Sequence, residues 1–335
     1  MSHDPILLMG GTGAIGQATA RALRAAQPDV PLLIGSREPE KAQRAAAQLS
    51  KAEGVAIDAT TDDLGLGERR VSAVAVFYMD HRLAGLRFAL NRRVPHLSIS
   101  SGVFEIAPEI AAYMHAPNAA PMVLGYEWLV GATTVPTLAI AKAFGQIDSI
   151  RIGALIDEQD TPGPTVATDF EHLSRLQPAA LTRRDGEYIW REGDEAKVKF
   201  PALDGVEVRG MGFSSIDVVG LATATGARTV QFDLATGVTS ARRRGQPRST
   251  EILIEIEGQT PGRSPLRTRH AVVHPGGAGP LTALGTSMIL ERLTGLDGQP
   301  PTPSGLYFPH QVLEPTAYHA RLEREGGAVM TLQPL

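Results

Sequence analysis

Ile6-Leu-Leu-Met-Gly-Gly-Thr-Gly-Ala-Ile-Gly16 decides the fold of this chain. Four apolar residues, Ile6 to Met9, stop at Gly10 and Gly11, and an amphipathic pattern runs from about Ala14 to Ala26. The pattern predicts a buried strand, a tight turn and a helix whose N-terminus points back over the turn. Gly11, Gly13 and Gly16 satisfy G-x-G-x-x-G, and Gly10, Gly13 and Gly16 a looser G-x-x-G-x-x-G. The first glycine of such a set permits the sharp turn. The second lets a diphosphate approach bare backbone, and the third lets helix and strand pack closely. Unpaired N–H groups and a partial positive charge at the helix N-terminus suit a phosphate. A glycine turn also serves packing alone, but here a second strand, Pro31 to Gly35, follows on schedule. The stretch reads as a dinucleotide site, with Gly10, Gly11, Thr12, Gly13, Ala14, Ile15 and Gly16 around the diphosphate.

The end of the second strand in such a unit meets the adenosine ribose. An acidic residue there binds the 2′-OH, whereas an arginine accommodates a 2′-phosphate. This chain has Gly35, Ser36 and Arg37, with Lys41 one helical turn on and no carboxylate before Glu38. A hydroxyl and a guanidinium suit a phosphate, which favours NADP(H) over NAD(H). The competing reading leaves Arg37 in solvent and gives the ribose to Glu38.

Composition sets outer bounds. The 335 residues are enough for two domains. A hydrophobic share of 43% and a charged share of 20% are those of an ordinary globular chain. The net charge of −4 gives no reason to expect a nucleic-acid partner. Cysteine is absent, which excludes disulfides, thiolate metal sites and a cysteine nucleophile. His172, His310 and His319 lack metal-ligand spacing, so no metal is expected. Met1-Ser-His-Asp-Pro5 leads directly into the first strand, and no apolar run approaches the ~20 residues that span a bilayer. The expectation is a cytoplasmic protein with no membrane partner.

Further along, Pro39 to about Lys51 reads as a helix and Val55 to Asp58 as a third strand. Asp58 either meets the adenine edge or caps the polar loop that follows it. Val71–Phe77, His96–Ser100 and Pro121–Gly125 read as further strands, with helices at Leu83–Asn91 and Glu105–His115. Six short apolar strands with helices between them predict an α/β fold, a doubly wound parallel Rossmann sheet. The grammar changes after Gly125. A helix at Thr133–Phe144 precedes a strand at Ile147–Ile156, and the turn cluster Asp160–Pro164 leads into a helix through Leu176. Asp185-Gly186, between Leu181 and Trp190, signals a hairpin. Alternating runs at Gly205–Met211, Arg228–Leu234, Glu251–Glu257 and Leu266–Val273, with a helix near Ser215–Thr225, predict a second, α+β domain on a largely antiparallel sheet. Arg242-Arg-Arg244 reads as a solvated run on a hairpin-like loop, and Ala278–Leu293 as a long helix. The expected boundaries are 1-127 for the nucleotide-binding domain, 128-275 for the second domain and 276-335 for a C-terminal segment.

The opening turn, the Ser98-Ile-Ser100 strand end and the later α+β domain resemble the saccharopine dehydrogenase-like (saccharopine reductase-like) NAD(P)-dependent oxidoreductases. Gly305-Leu-Tyr-Phe-Pro-His310, Glu314-Pro315 and Tyr318 to Gly326 are similar to that family's closing segment: a short apolar turn, then a helix capped by an acidic residue and proline and ended by glycine. The likeness spans most of the chain, firm at both ends and loose from about 160 to 250. It implies a Rossmann domain, a sheet-rich domain that holds substrate and mediates homodimer pairing, and a tail packed back on the first domain. It also implies hydride transfer at imine or amine carbons of an amino-acid-like, carboxylate-bearing small molecule. The chain departs from the family where a Pro-Gly pair often follows the sixth strand, since Leu129-Val-Gly131 stands there, and in a shorter second domain. Saccharopine itself is therefore not carried over as the substrate.

Ligands of open α/β sheets lie beyond the carboxyl ends of the strands. Those positions hold Tyr78 and His81, then Ser98, Ser100 and Ser101, then Tyr126 and Glu127. Reduction of a C=N bond needs a proton for nitrogen, and Tyr78, His81, Tyr126 and Glu127 are the candidate donors or orienters. Tyr78 and Ser100 are also expected against the cofactor. His81 has an imidazole suited to proton transfer near neutrality, unless Asp80 caps the helix and leaves it on the surface. Glu127 beside Trp128 is either a carboxyl of raised pKa or an ordinary ion-pair partner. Arg183, Arg184, Arg209, Arg228 and Arg269 are the pool for a carboxylate clamp. His270 and His274 share a strand face, and His274-Pro-Gly-Gly277 is either an anion-binding end or simply the start of a helix. An extended short-chain reductase needs Tyr-x-x-x-Lys, but Arg82 and Pro117 stand four residues after Tyr78 and Tyr113. The remaining alternative is a non-catalytic NADP-binding sensor of the same fold.

Overall fold

The computed structural model describes residues 3–100, 103, 106–160, 168, 171 and 179–333. Apart from Thr168 and Glu171, which are helical, the expected helix through Leu176, with His172, lies outside the described residues, as does the Ser101 position. Two compact units emerge, one built on Met1–Tyr126 and Thr282–Leu313, the other on Glu127–Thr161, Glu171–Leu281 and Glu314–Leu335.

In the first unit, strands β1 (Ile6–Met9), β2 (Leu32–Ser36), β3 (Ala52–Ala56), β4 (Ala73–Val76), β5 (His96–Ser98) and β6 (Pro121–Leu124) lie parallel in the order β6-β5-β4-β1-β2-β3. Helices α1 (Ala14–Ala26), α2 (Pro39–Ala46), α3 (Ala84–Arg92) and α4 (Ile106–His115) connect them. Every residue of β1, β4 and β6 is buried, as their unbroken apolar runs require of a strand covered on both faces. The strand order reverses at β1, between β2 and β4, and that switch point is where such a sheet opens a crevice. Two boundaries move. α2 ends at Ala46 rather than near Lys51, and Lys51 turns the chain at φ 50°. β3 then begins at Ala52 rather than Val55, an edge strand in which only Val55 is buried. Its apolar signal is weak because only one neighbour, β2, holds it.

In the second unit, β7 (Gln146–Asp157), β8 (Ala180–Arg184), β9 (Glu187–Arg191), β10 (Lys197–Pro201), β11 (Glu207–Gly212), β12 (Thr229–Gly237), β13 (Thr250–Gln259) and β14 (Pro265–His274) form a mixed sheet. Its order is β10-β11-β12-β7-β13-β14, antiparallel except for the β12/β7 pair, with the β8/β9 hairpin attached to β12. Asp185 and Gly186 both take positive φ, 52° and 94°, the geometry of the tight primed hairpin turn. Helices here are α5 (Thr134–Ala141), α6 (Asp217–Thr225), α7 (Ser240–Arg243) and the start of α8 (Ala278–Thr294). The Arg242-Arg-Arg244 run is not a solvated loop. Arg242 pairs with buried Asp157 at 2.7 Å, and Arg243 forks onto Asp204 at 2.6 and 2.7 Å, which fixes α7 on the sheet.

The closing segment corrects two expectations. Gly305-Leu-Tyr is a strand rather than a turn: β15 (Gly305–Tyr307) pairs parallel with β6 and makes the first sheet seven-stranded. Nor does 276-335 pack back as a whole on the first domain. After α9 (Pro309–Val312), α10 (Pro315–Arg324) and β16 (Ala328–Leu332) belong to the second unit, where β16 pairs with β14. α10 has the expected ends, with Glu314 accepting from the N–H groups of Thr316 and Ala317 and Gly326 at φ 87°.

Candidate cofactor and proton-transfer site

Backbone hydrogen bonds draw the glycine turn tight. Gly10 donates to the Gly35 carbonyl, Gly11 to Leu8 and Gly13 to Gly10, each at 3.0 Å. Gly10 has φ 81°, a conformation glycine takes without strain. A Cβ on Gly16 would lie 2.6 Å from the Gly11 Cα and 2.7 Å from the Gly10 oxygen, so only glycine lets α1 rest on the turn. A Cβ on Gly10 would meet the Tyr78 ring at 2.9 Å, and one on Gly11 the Leu8 oxygen at 2.8 Å. Gly13 differs. Its nearest neighbour would be 3.3 Å away, and Gly13 and Ala14 face solvent beside half-buried Thr12 and Ile15. The α1 N-terminus has no side-chain cap and no acidic residue in its first turn. By contrast, the α8 N-terminus is filled by Asp160, whose carboxylate accepts from the Ala278 N–H at 2.7 Å. His274-Pro-Gly-Gly277 is thus a helix start with its own anion, and α1 has the open end.

At the β2 end, Ser36 is half-buried and accepts from the Glu38 N–H at 3.1 Å, leaving its hydroxyl proton to donate. Lys41 pairs with Glu38 at 2.6 Å on the exposed face, and Arg37 is exposed. Asp58 caps its own loop, accepting from the Thr60 N–H at 2.8 Å and hydroxyl at 2.5 Å. Tyr78 lies on the Gly10 backbone. Burial and Asp80 push its phenol up to about 12, while Arg37 pulls it down. Asp80 caps the α3 approach by accepting from the Gly85 N–H at 2.9 Å and from Arg82, and His81 lies exposed on that turn.

A residue outside the candidate set completes the next group. Tyr126, past β6, places its hydroxyl 2.5 Å from Ser98 Oγ at the end of β5 and 2.5 Å from Glu109 Oε2 on α4. Ser98 in turn donates to Glu109 at 3.2 Å. All three are buried, and Ser100 is half-buried two residues on. Burial drives the Glu109 carboxyl up to about 7. The Tyr126 and Ser98 hydrogen bonds oppose that rise, and Asp80 adds to it. The Asp80 charge raises both Tyr78 and, as the smallest of the influences on it, Glu109. Helical spacing gave no hint of Glu109, since a glutamate in a short helix ordinarily faces water.

Glu127 belongs to the second unit. It is 2% exposed, accepts from the Thr134 hydroxyl at 2.6 Å and lies near fully buried Asp217. Asp217 accepts from the Trp128 N–H at 2.7 Å and from Ser215. Burial, and then the Glu127 charge, raise Asp217 to about 7. After Trp128 comes a strained turn, with Leu129 at φ 49° and Val130 at φ 57° ahead of Gly131. The five arginines do not converge. Arg183 lies over the Tyr188 ring, Arg184 pairs with Glu195, Arg228 pairs with Asp185, and Arg209 is exposed. Arg269 is buried against the Pro201 and Ala202 carbonyls and Glu255. His270 faces Thr331 at 3.4 Å, and buried His274 accepts from the Gly276 N–H at 3.0 Å. No helix of the described residues is long and apolar enough to cross a membrane, and no metal-holding cluster occurs among them.

No protein-family profile matches the sequence, and no curated protein matches it. Solved structures do. The apo saccharopine dehydrogenase (L-Glu forming) of Saccharomyces cerevisiae superposes with a TM-score of 0.63 at 13% identity, over 98% of this chain and 100% of that one. Homospermidine synthase of Legionella pneumophila, solved with NAD, gives 0.62 at 11% identity over 100% and 92%. Amine dehydrogenase of Mycobacterium smegmatis gives 0.53 at 14% identity over 94% and 98%. At such identities the likeness is one of architecture, and it runs the full length of the chain: a parallel Rossmann sheet followed by a largely antiparallel α+β sheet, the fold of saccharopine dehydrogenase.

Proposed function

We propose that this protein is an NADP(H)-dependent oxidoreductase that moves hydride to or from the imine or amine carbon of a small, carboxylate-bearing, amino-acid-like substrate. The supporting observation is the open main chain at Gly13 and Ala14, before a helix N-terminus that no side chain fills. A diphosphate is the group that bare N–H donors and a helix dipole suit. Ser36 and Arg37 would hold the 2′-phosphate, with Glu38 drawn aside onto Lys41. Tyr78, on the far side of the turn, would flank the nicotinamide, and bound nicotinamide would supply or accept the hydride. Tyr126 is the best placed of the candidate proton donors, at a strand end on the ligand edge of the sheet. Residues 1-127 are read as the cofactor domain and 128-275 as the domain that holds substrate and pairs two copies, in the cytoplasm. The names of two structural neighbours, a saccharopine and an amine dehydrogenase, lean toward C–N chemistry.

The test is a fluorescence titration with NADPH and NADH, followed by assays of nicotinamide absorbance with keto acids plus ammonia or amines. Tight NADPH binding with turnover of an amino-acid-like product is expected. Tight binding with no turnover across the panel would move the protein to the sensor class. Failure to bind either nucleotide would end both readings.

A further inference from the structure

α4 is built inside out. Glu109 is its one buried residue among those described, at 5% exposed, while Met114 of the same helix is 71% exposed. Burying a carboxylate is costly, and a helix needing only an anchor on β5 and β6 is held at least as well by an apolar side chain. Glu109 nevertheless reaches two hydroxyls that end adjacent strands of the sheet, Ser98 and Tyr126. Resting on the oxidoreductase reading, we infer that Glu109 is the proton store for the hydride transfer, feeding Tyr126 while Ser98 holds the pair in line.

The step balances in the reductive direction. Bound reduced nicotinamide would supply the hydride to the imine carbon, and the C=N π pair would move to nitrogen. Nitrogen then takes the Tyr126 hydroxyl proton, and the resulting phenolate takes the carboxyl proton of Glu109. The carboxylate left behind is reprotonated from water. The hydrogen bonds provide the direction. With Glu109 ionised, the Tyr126 O–H is committed to Oε2. With Glu109 protonated, its own O–H donates to Tyr126 and frees the phenolic proton to leave. Burial raises the Glu109 carboxyl to about 7; of the groups facing it, Tyr126 from beyond β6 and Ser98 from β5 oppose that rise, and Asp80 from beyond β4 adds to it.

The test compares NADP+ and NADPH affinities by titration calorimetry from about pH 5.5 to about pH 8.5. The two nucleotides share the 2′-phosphate, so its own ionisation cancels in their ratio. NADP+ carries a cationic ring, which an ionised Glu109 favours. In the wild-type protein the preference for NADP+ over NADPH should rise about fivefold through neutrality. E109Q should remove the rise. Y126F, which deletes a hydrogen bond that stabilises the carboxylate, should move its midpoint to higher pH; the pH-dependent nucleotide preference itself is what a merely structural Glu109 would not produce. A ratio independent of pH in the wild type, or a rise retained in E109Q, overturns the relay and leaves the oxidoreductase reading standing. Failure of the wild type to bind either nucleotide removes both. Should E109Q not fold, the wild-type rise and the Y126F midpoint decide alone.

Discussion

Gly13 and Gly16 sit in one motif and answer to different constraints. A side chain on Gly16 collides with the backbone of Gly11 and Gly10, whereas one on Gly13 meets nothing closer than 3.3 Å. Gly16→Val should therefore cost the fold itself, read as loss of a cooperative thermal transition. Gly13→Val should keep that transition and lose nucleotide binding; unchanged titration would make the turn purely structural. Arg37→Ala should weaken NADPH by about tenfold or more, the scale of a charge-assisted hydrogen bond, and leave NADH nearly unchanged. Equal losses for the two nucleotides would remove the phosphate role. Residues of this kind are legible in sequence because sterics act on a few neighbouring positions. Glu109 is not, because its partners lie on two other strand ends and meet it only once β5, β6 and α4 are assembled.

At the scale of elements, buried Asp217, whose carboxyl is raised by burial and by the neighbouring Glu127 charge, predicts a pH dependence of stability. Asp217 keeps its proton up to about pH 7 in the fold but only to about pH 4 when unfolded. Its contribution to stability is complete below the unfolded value and is lost as pH rises through the folded one, at no more than about 1.4 kcal/mol per pH unit. His96 slopes the other way, since burial lowers its imidazole to about 3 and the unfolded chain takes up a proton first. The difference between wild type and Asp217→Asn is therefore the measurement. Urea unfolding should show the variant losing the decline between about pH 4 and 7, and parallel curves would deny Asp217 any titration in that range. Asp185-Gly186 was readable as a hairpin because the turn's chemistry is local. The left-handed run Leu129–Val130 was not, because neither residue type favours positive φ and nothing local to the sequence signals it.

For the whole molecule, ligand linkage gives a check that needs no substrate. NADPH at about a hundred times its dissociation constant should add about 2.7 kcal/mol to the unit that binds it, and calorimetry should show the melting transition rise with nucleotide concentration. An immobile transition would argue against a folded site. The architecture itself was largely legible, since β/α alternation and then period-2 runs separate a parallel from an antiparallel sheet. What escaped was the seventh strand. Gly305-Leu-Tyr is too short to carry a pattern, and it becomes a strand only because β6 offers it an edge. That late pairing has a consequence for biogenesis. On the ribosome, the first sheet remains incomplete while β7 to β14 are being synthesised, with Pro121-Met-Val-Leu124 exposing raw main-chain donors and acceptors until β15 emerges. A nascent or truncated polypeptide halted before Gly305 is thus a natural client for a chaperone, and a poor choice for anyone hoping to express the nucleotide-binding half by itself.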